Sequence, residues 1–481
     1  EVFISFLVAR IQLIPLSFTS TTIIMVGITN GLTPSTNGST QKHNGSTWGF
    51  ATRAVHVGSE PDSHTGAVIP PISLSTTFKQ DGVGIHKGFE YSRSQNPSRA
   101  ALEAMLASIE IGGADALAFS SGSAATATVI QAMGTDAHII AVSDVYGGTW
   151  RYMKRVAEEL SGLQVDWIDP EGSVDQIRAA LKRNTKLIWL ESPTNPLLLL
   201  PSLPEISALL SEIYSQDNDV IAGQNFPTTR PLVLVDSTFS SPYYASPLLP
   251  IQLDDGSTLP GADIVLHSLT KYINGHSDAL LGAAILPPFS PLLSKLTFLQ
   301  NAHGAVPSAF DCYLAQRGAK TLQLRMQAAG SSALRLAQVL QNHPIVEEVI
   351  YPGLASHRRH AVAWRALSPH ARRWIQKQYP DVGANGEGDF PYSGIVSVRL
   401  RTEPQALKFL AELRIFTLAE SLGGVESLAE HPAQMTHATI PKAEREERGI
   451  TGGLVRMSVG VEDIEDLIHD AQKALDVAAS L

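Results

Sequence analysis

Ala262-Asp263-Ile264-Val265-Leu266-His267-Ser268-Leu269-Thr270-Lys271-Tyr272-Ile273-Asn274-Gly275-His276-Ser277-Asp278 is the stretch on which the fold turns. A short apolar run, Ile264 to Leu266, ends in hydroxyl residues around one lysine, and a Gly/Asn/Ser/Asp turn follows. Three other runs end in the same way: Leu117-Ala118-Phe119 into Ser120-Ser121-Gly122-Ser123, Leu187-Ile188-Trp189-Leu190 into Glu191-Ser192-Pro193-Thr194-Asn195, and Leu232-Val233-Leu234-Val235 into Asp236-Ser237-Thr238. Short continuous apolar runs separated by helical stretches predict buried parallel strands, hence an α/β chain. In open α/β sheets ligands bind beyond the carboxyl ends of the strands. The four polar tails are therefore expected to meet at one site.

A lysine that forms an imine with an aldehyde must lose its proton, which desolvation and a neighbouring cation favour. Lys271, with Ser268 and Thr270 placed to bind a phosphate, predicts a Schiff base to pyridoxal phosphate, an electron sink for carbanions. The amides of Gly122 and Ser123, at the start of an alanine-rich helix, can meet the phosphate. Asp236, behind an apolar run, needs a partner, and a protonated pyridine nitrogen suits it. Tyr146 precedes Gly147 and Gly148, which would let the backbone turn sharply and lay the ring on a flat ligand. Each feature has a plainer reading when taken singly: a solvated lysine, an ordinary strand-to-helix turn, a helix cap at Asp236, a core tyrosine.

Glu90-Tyr91-Ser92-Arg93-Ser94-Gln95-Asn96-Pro97, Ser120 to Thr126, Asp144 to Gly148, Glu191 to Pro196, Val235 to Phe239 and His267 to Asp278 occur in an order that resembles the cysteine/methionine-metabolism group of pyridoxal-phosphate enzymes. The resemblance runs from about Phe50 to about Ala474. It implies an aminotransferase-like, fold-type I α/β architecture: a large, mostly parallel-sheet cofactor domain, a smaller C-terminal α+β domain and an N-terminal arm. It also implies roles. Lys271 would bind the cofactor and shuttle protons, with Asp236 on the pyridine nitrogen and Tyr146 stacked on the ring. Gly122, Ser123, Ser268 and Thr270 would hold the phosphate. Tyr91 and Arg93 would reach that phosphate in a neighbouring subunit, and Arg93 and Tyr146 would face the substrate as well. Arg456 matches the arginine that clamps the substrate carboxylate, a task suited to a planar bidentate donor, assisted by Asn195 and the Ser421 backbone. No metal is expected.

Phe298 to Pro307, Asp311 to Leu314, Phe416 to Gly424 and Met435-Thr436-His437 are similar to the γ-lyase branch of that group. There Glu420 would pair with the distal ammonium of cystathionine and Arg151 would contact its distal carboxylate. The implied reaction is γ-elimination of L-cystathionine to L-cysteine, 2-oxobutanoate and ammonia. The γ-replacement branch, cystathionine γ-synthase, shares nearly all these residues and stays open. So do a methionine γ-lyase and a non-catalytic interaction protein, although a dead paralogue would not need Lys271, Asp236, Tyr146, Arg456, Tyr91 and Arg93 together. Ser237 and Leu269 replace the more common Asn and Ala.

The 481 residues, 44% hydrophobic and 17% charged, suffice for two domains with full cores. A formal net charge of -10 gives no encouragement to nucleic-acid binding. The single cysteine, Cys312, excludes an internal disulfide and suits a reducing, cytoplasmic setting. Residues 1–47 are expected to be a disordered or non-native extension, with 1–24 lying upstream of a start at Met25. Residues 48–94 would form an extended arm, 95–322 the cofactor domain and 323–481 the C-terminal domain, ending in the helical stripe Ile464, Leu467, Ile468, Ala471 and Leu475. Gln216 to Pro231 reads as a lengthened surface loop. Residues 355–393 read as an insertion whose basic segment, His357 to Lys377 with Trp364 and Trp374, is expected to be an amphipathic helix packed on its own domain. His357 and His360 alone are weak evidence of a metal. The resemblance implies a homotetramer of two active dimers acting on a small amino-acid substrate, with no membrane or nucleic-acid partner.

Overall fold

In the computed structural model the described residues are 48–215, 226–253 and 255–481. The expectations for residues 1–47, and most of that for the 216–231 loop, fall outside them. The four apolar runs become strands of one seven-stranded sheet. Its members are β1 (Asp115–Phe119), β2 (His138–Val142), β3 (Gln164–Ile168), β4 (Thr185–Glu191), β5 (Leu232–Asp236), then, after the hairpin β6 (Ile251–Gln252) and β7 (Thr258–Leu259), β8 (Ile264–Ser268) and β9 (Gly282–Leu286). The order is β1-β9-β8-β5-β4-β2-β3. β3, β2, β4, β5 and β8 pair in parallel, while β9 is antiparallel to both β8 and β1. A parallel return from β8 would need a crossover, usually through a helix. Residues 269–281 form turns around Lys271 instead, so β9 comes back antiparallel. Gly282 at its start has no room for a side chain: a Cβ there would lie 2.4 Å from the Ser121 carbonyl oxygen and 2.6 Å from Gly122 Cα. That close approach seats the start of the helix Gly122–Ala132 against the lysine strand.

A second sheet comprises β10 (Val346–Ile350), β11 (Ile395–Leu400), β12 (Thr417–Leu418), β13 (Leu428–Glu430) and β14 (Leu454–Ser458), in the order β10-β11-β14-β13-β12. The helix Ile464–Ala478 buries Leu467, Ile468, Ala471 and Leu475, as its stripe predicts. Both sheets lie within one compact unit.

Two regions differ from the sequence expectation. Residues 48–94 are not extended throughout: they open with the helix Phe50–His56, whose Phe50 ring packs on Tyr243 and His370. Beyond it, Val68, Leu74, Val83 and Ile85 are exposed. The basic segment forms two short helices, His360–Ala366 and Pro369–Gln378, because Pro369 disfavours helical backbone before it and Ser368 caps the second helix through the Ala371 amide. Trp364 packs on Phe390, but Trp374 packs on Tyr243, Arg359 donates to the Leu200 carbonyl, and Arg358 pairs with Glu171. Several of its cations and rings are thus directed to the part of the chain that carries the large sheet. Among the described residues no helix is long and apolar enough to cross a membrane.

Candidate active site

The polar tails of the strands converge as the parallel-sheet reading requires. Gly122, Ser123, Tyr146, Asn195, Asp236, Ser268, Thr270, Lys271, Glu420, Ser421 and Arg456 line a single cavity. One end of it is built for an anion. Ser121 caps the helix Gly122–Ala132, its Oγ accepting from the Ala124 amide at 3.0 Å, while its carbonyl takes the Ala125 amide. The amides of Gly122 and Ser123 have no intrahelical acceptor and are left for a ligand. A Cβ on Gly122 would stand 3.2 Å from Ser268 Cβ, so glycine lets the helix start lie close to that hydroxyl. Thr270 is partly engaged: its Oγ1 accepts from the Leu281 amide at 3.1 Å and donates to the Leu281 carbonyl at 3.3 Å, bracing the lysine loop.

Burial, then the positive charge of Arg456, push the Lys271 amine down to about 8, which makes the neutral nucleophile accessible near neutral pH. Its Nζ donates to Ser421 Oγ at 2.7 Å. Ser421 holds a left-handed backbone, φ 91°, that brings its hydroxyl to the lysine and its carbonyl to Arg456. At the end of β5, Asp236 Oδ1 accepts from the Thr238 amide at 3.1 Å and from its Oγ1 at 2.6 Å. The local turn bonding of the plainer reading therefore occupies one oxygen, and Oδ2 remains for a ligand. Burial pushes the Asp236 carboxyl up, against the pull of Thr238 and His267.

Arg456 is buried on β14, with Nη1 2.9 Å from Asn195 Oδ1 and 3.0 Å from Glu430 Oε1, and Nη2 2.7 Å from the Ser421 carbonyl. Tyr146 lines the cavity and is 41% exposed; burial raises its hydroxyl above the usual tyrosine range, so it keeps its proton. The two glycines after it do not make a sharp turn: neither has a positive φ, and both begin the helix Gly147–Tyr152. They are needed for space. A Cβ on Gly147 would meet the Thr436 carbonyl oxygen at 2.4 Å, and one on Gly148 would meet the Tyr146 ring at 2.4 Å.

Three expected residues are not in the cavity lining of this chain. Arg151 is exposed on the helix Gly147–Tyr152, though its charge acts on the Tyr146 hydroxyl. Tyr91 is exposed, and Arg93 stacks over its ring while donating through Nε to Asn301 Oδ1 at 3.2 Å. Glu420 is at the cavity and exposed, and no ion pair joins it to Arg151 among the described residues.

Sequence reasoning left Glu191, Thr238, Thr436 and Glu430 without a role. Glu191 lies opposite Asp236 in the β4–β5 register, accepts the Tyr146 amide at 3.0 Å, and is pushed well above the usual carboxylate range by burial and then by Asp236. Its signal was available, since it ends an apolar strand as Asp236 does. Glu430 gave none, because it closes a strand of only three residues.

Open helix-terminal amides beside Ser268, a deep carboxylate, an aromatic ring and a readily deprotonated lysine can hold a phosphorylated heteroaromatic aldehyde. Arg456 adds a site for a carboxylate. The family model described as Cys/Met metabolism PLP-dependent enzyme matches residues 51–372 and 388–476, leaving 373–387 unmatched. The chain is 44% identical to cystathionine gamma-lyase of Sus scrofa over 89% of this chain and 94% of that protein. Its fold is similar to that of cystathionine gamma-lyase from yeast, with TM-score 0.75 and 41% identity over 90% of this chain and 99% of the other. It is also similar to cystathionine gamma synthase from Xanthomonas oryzae pv. oryzae, with TM-score 0.76 and 35% identity over 90% and 99%.

Proposed function

We propose that this chain, which belongs to the Cys/Met metabolism PLP-dependent enzyme family, is a carbon–sulfur lyase that converts L-cystathionine and water to L-cysteine, 2-oxobutanoate and ammonia. The observation that carries this reading is a Lys271 amine lowered to about 8 in the same cavity as a buried, pre-oriented Arg456 guanidinium. When bound, pyridoxal phosphate supplies the electron sink that allows the substrate Cα–H bond to ionise. Gly122, Ser123 and Ser268 would hold its phosphate, with Thr270 bracing the loop. Asp236 would partner the ring nitrogen, and Tyr146 would lie beside the ring.

Arg456, oriented by Asn195 and the Ser421 carbonyl, binds the substrate α-carboxylate. Lys271 Nζ removes the Cα proton and serves again where a proton leaves Cβ, and Ser421 Oγ holds that amine in place. Tyr146, which retains its hydroxyl proton, gives it to the departing γ-sulfur. Glu420 pairs with the distal ammonium, and Arg151 supports the distal carboxylate. Tyr91 and Arg93, exposed and outside this chain's own cavity lining, complete the phosphate site of a second subunit. The assembly is a dimer of active dimers, in a reducing cytoplasm that suits the lone, buried Cys312.

The test is purified protein given L-cystathionine while 2-oxobutanoate and cysteine are followed, with Lys271→Ala as control. Both products, absent from the control, support the γ-lyase. No 2-oxobutanoate from cystathionine, with condensation of an activated homoserine and cysteine, overturns it in favour of γ-replacement.

A further inference from the structure

Glu430 ends β13 directly opposite Arg456 in the β13–β14 register. It is fully buried, and its Oε1 both contacts the Arg456 guanidinium at 3.0 Å and accepts from Thr436 Oγ1 at 2.8 Å. Its other oxygen, Oε2, is buried with no hydrogen-bond partner, and Arg456 Nε is in the same condition. The groups around it are known. Arg456 and Lys271 favour its anion, and Glu420 opposes it; the Glu430 charge also acts on the Tyr146 hydroxyl. His437, bonded to Thr436 Oγ1, is driven by burial to about 3 and is neutral.

Arg456 is therefore already neutralised by a carboxylate before any substrate arrives. A bound α-carboxylate places a second anion on the same buried cation, and two carboxylates sharing one such site do not both stay ionised. The incoming group needs both its oxygens to engage the guanidinium. Glu430 has an idle oxygen.

We propose that Glu430 is a positioning residue that takes a proton from solvent when a carboxylate binds Arg456, so that amino-acid recognition is coupled to proton uptake. This rests on the reading of Arg456 as the carboxylate clamp. Burial raises the Glu430 carboxyl from its ordinary value in the ligand-free protein, against the pull of Arg456 and Thr436, which lowers what the ligand must supply. The sign follows from linkage. Ligand binds best to the form with Glu430 protonated, so affinity falls as pH rises between the free and bound titration points, by up to about tenfold per pH unit, and is level outside that window.

The test uses the holoenzyme and butanoate, a carboxylate with no amine to displace Lys271 and no γ-leaving group. Calorimetric titration near neutral pH in phosphate and in Tris, buffers of different ionisation heat, reads the protons taken up per butanoate bound. The wild type should take up a substantial fraction of one proton, with affinity falling as pH rises. Glu430→Gln should bind butanoate without uptake and without that pH dependence. Wild-type binding with no uptake, or undiminished uptake in Glu430→Gln, overturns the proposal. If Glu430→Gln does not fold, Thr436→Val decides: losing the hydroxyl that supports the anion leaves Glu430 more protonated at rest, so uptake should fall, and unchanged uptake overturns the proposal. Arg456→Lys tests the clamp separately: butanoate affinity unchanged in that variant overturns the reading of Arg456 as the clamp, and the coupling with it, whereas reduced affinity with no uptake in the wild type overturns the coupling alone.

Discussion

On the proposed reading two residues set the chemistry, and each gives a separable prediction. Lys271 is held below the ordinary lysine range, so its neutral amine becomes the major form as pH rises through about 8. Capture of pyridoxal phosphate by the cofactor-free protein, followed by visible absorbance, should accelerate with pH and level off above that point. A rate flat across the window would mean that the amine is not the titrating nucleophile. Arg456 reaches Asn195 and Ser421 through two different guanidinium nitrogens, a geometry that a lysine ammonium does not reproduce. Hydrogen bonds to charged groups contribute about 1.5–3 kcal/mol, so Arg456→Lys should raise KM for L-cystathionine by about 10- to 100-fold. Steady-state kinetics check this: an unchanged KM would place carboxylate recognition elsewhere. At Asp236 the plainer reading does not displace the proposed one, since Thr238 takes one oxygen and leaves the other.

Short elements begin at the cavity and deliver their first residues to it. Ser121 caps the helix Gly122–Ala132 through Ala124, and its loss by Ser121→Ala should lower stability by about 1 kcal/mol, seen as a shift in urea midpoint. The same variant should weaken cofactor retention on dialysis, because the helix start carries the two open amides. The helix Gly147–Tyr152 depends on space. Gly147→Ala would drive a methyl against the Thr436 carbonyl, a backbone atom that cannot rotate aside, and should cost about 1–3 kcal/mol while displacing Tyr146. Full activity and an unchanged unfolding midpoint in Gly147→Ala would show that this contact does not position the tyrosine. The two helices of the basic segment follow the same logic of local stops: Pro369 and Ser368 divide what composition alone reads as one amphipathic stretch.

For the whole molecule the decisive question is where Tyr91 and Arg93 act. They lie outside the cavity lining of their own chain, on an arm with exposed Val68, Leu74, Val83 and Ile85. If each arm completes a partner's site, Lys271→Ala and Arg93→Ala subunits, each inactive alone, should regain activity when unfolded together and refolded. A mixed dimer then holds one doubly damaged site and one intact site, so an equal mixture should recover about a quarter of wild-type activity. No recovery would return both residues to their own subunit. The apolar runs, the lysine loop and the ordered motifs were legible in the sequence, because strand burial and helix starts are local consequences of residue type and spacing. The antiparallel return of β9 was not, since it depends on how residues 269–281 are used once the sheet has formed. Nor were the spatial roles of Gly147 and Gly148, which answer to the Thr436 carbonyl and the Tyr146 ring. Glu430 was the least legible: its meaning comes entirely from Arg456 on the adjacent strand. The sequence by itself determined the α/β class, the family and the candidate residues for the chemistry. Only the tertiary structure decided which carboxylates face one another in low dielectric, because that depends on strand register and burial, and these bring together residues far apart in the chain.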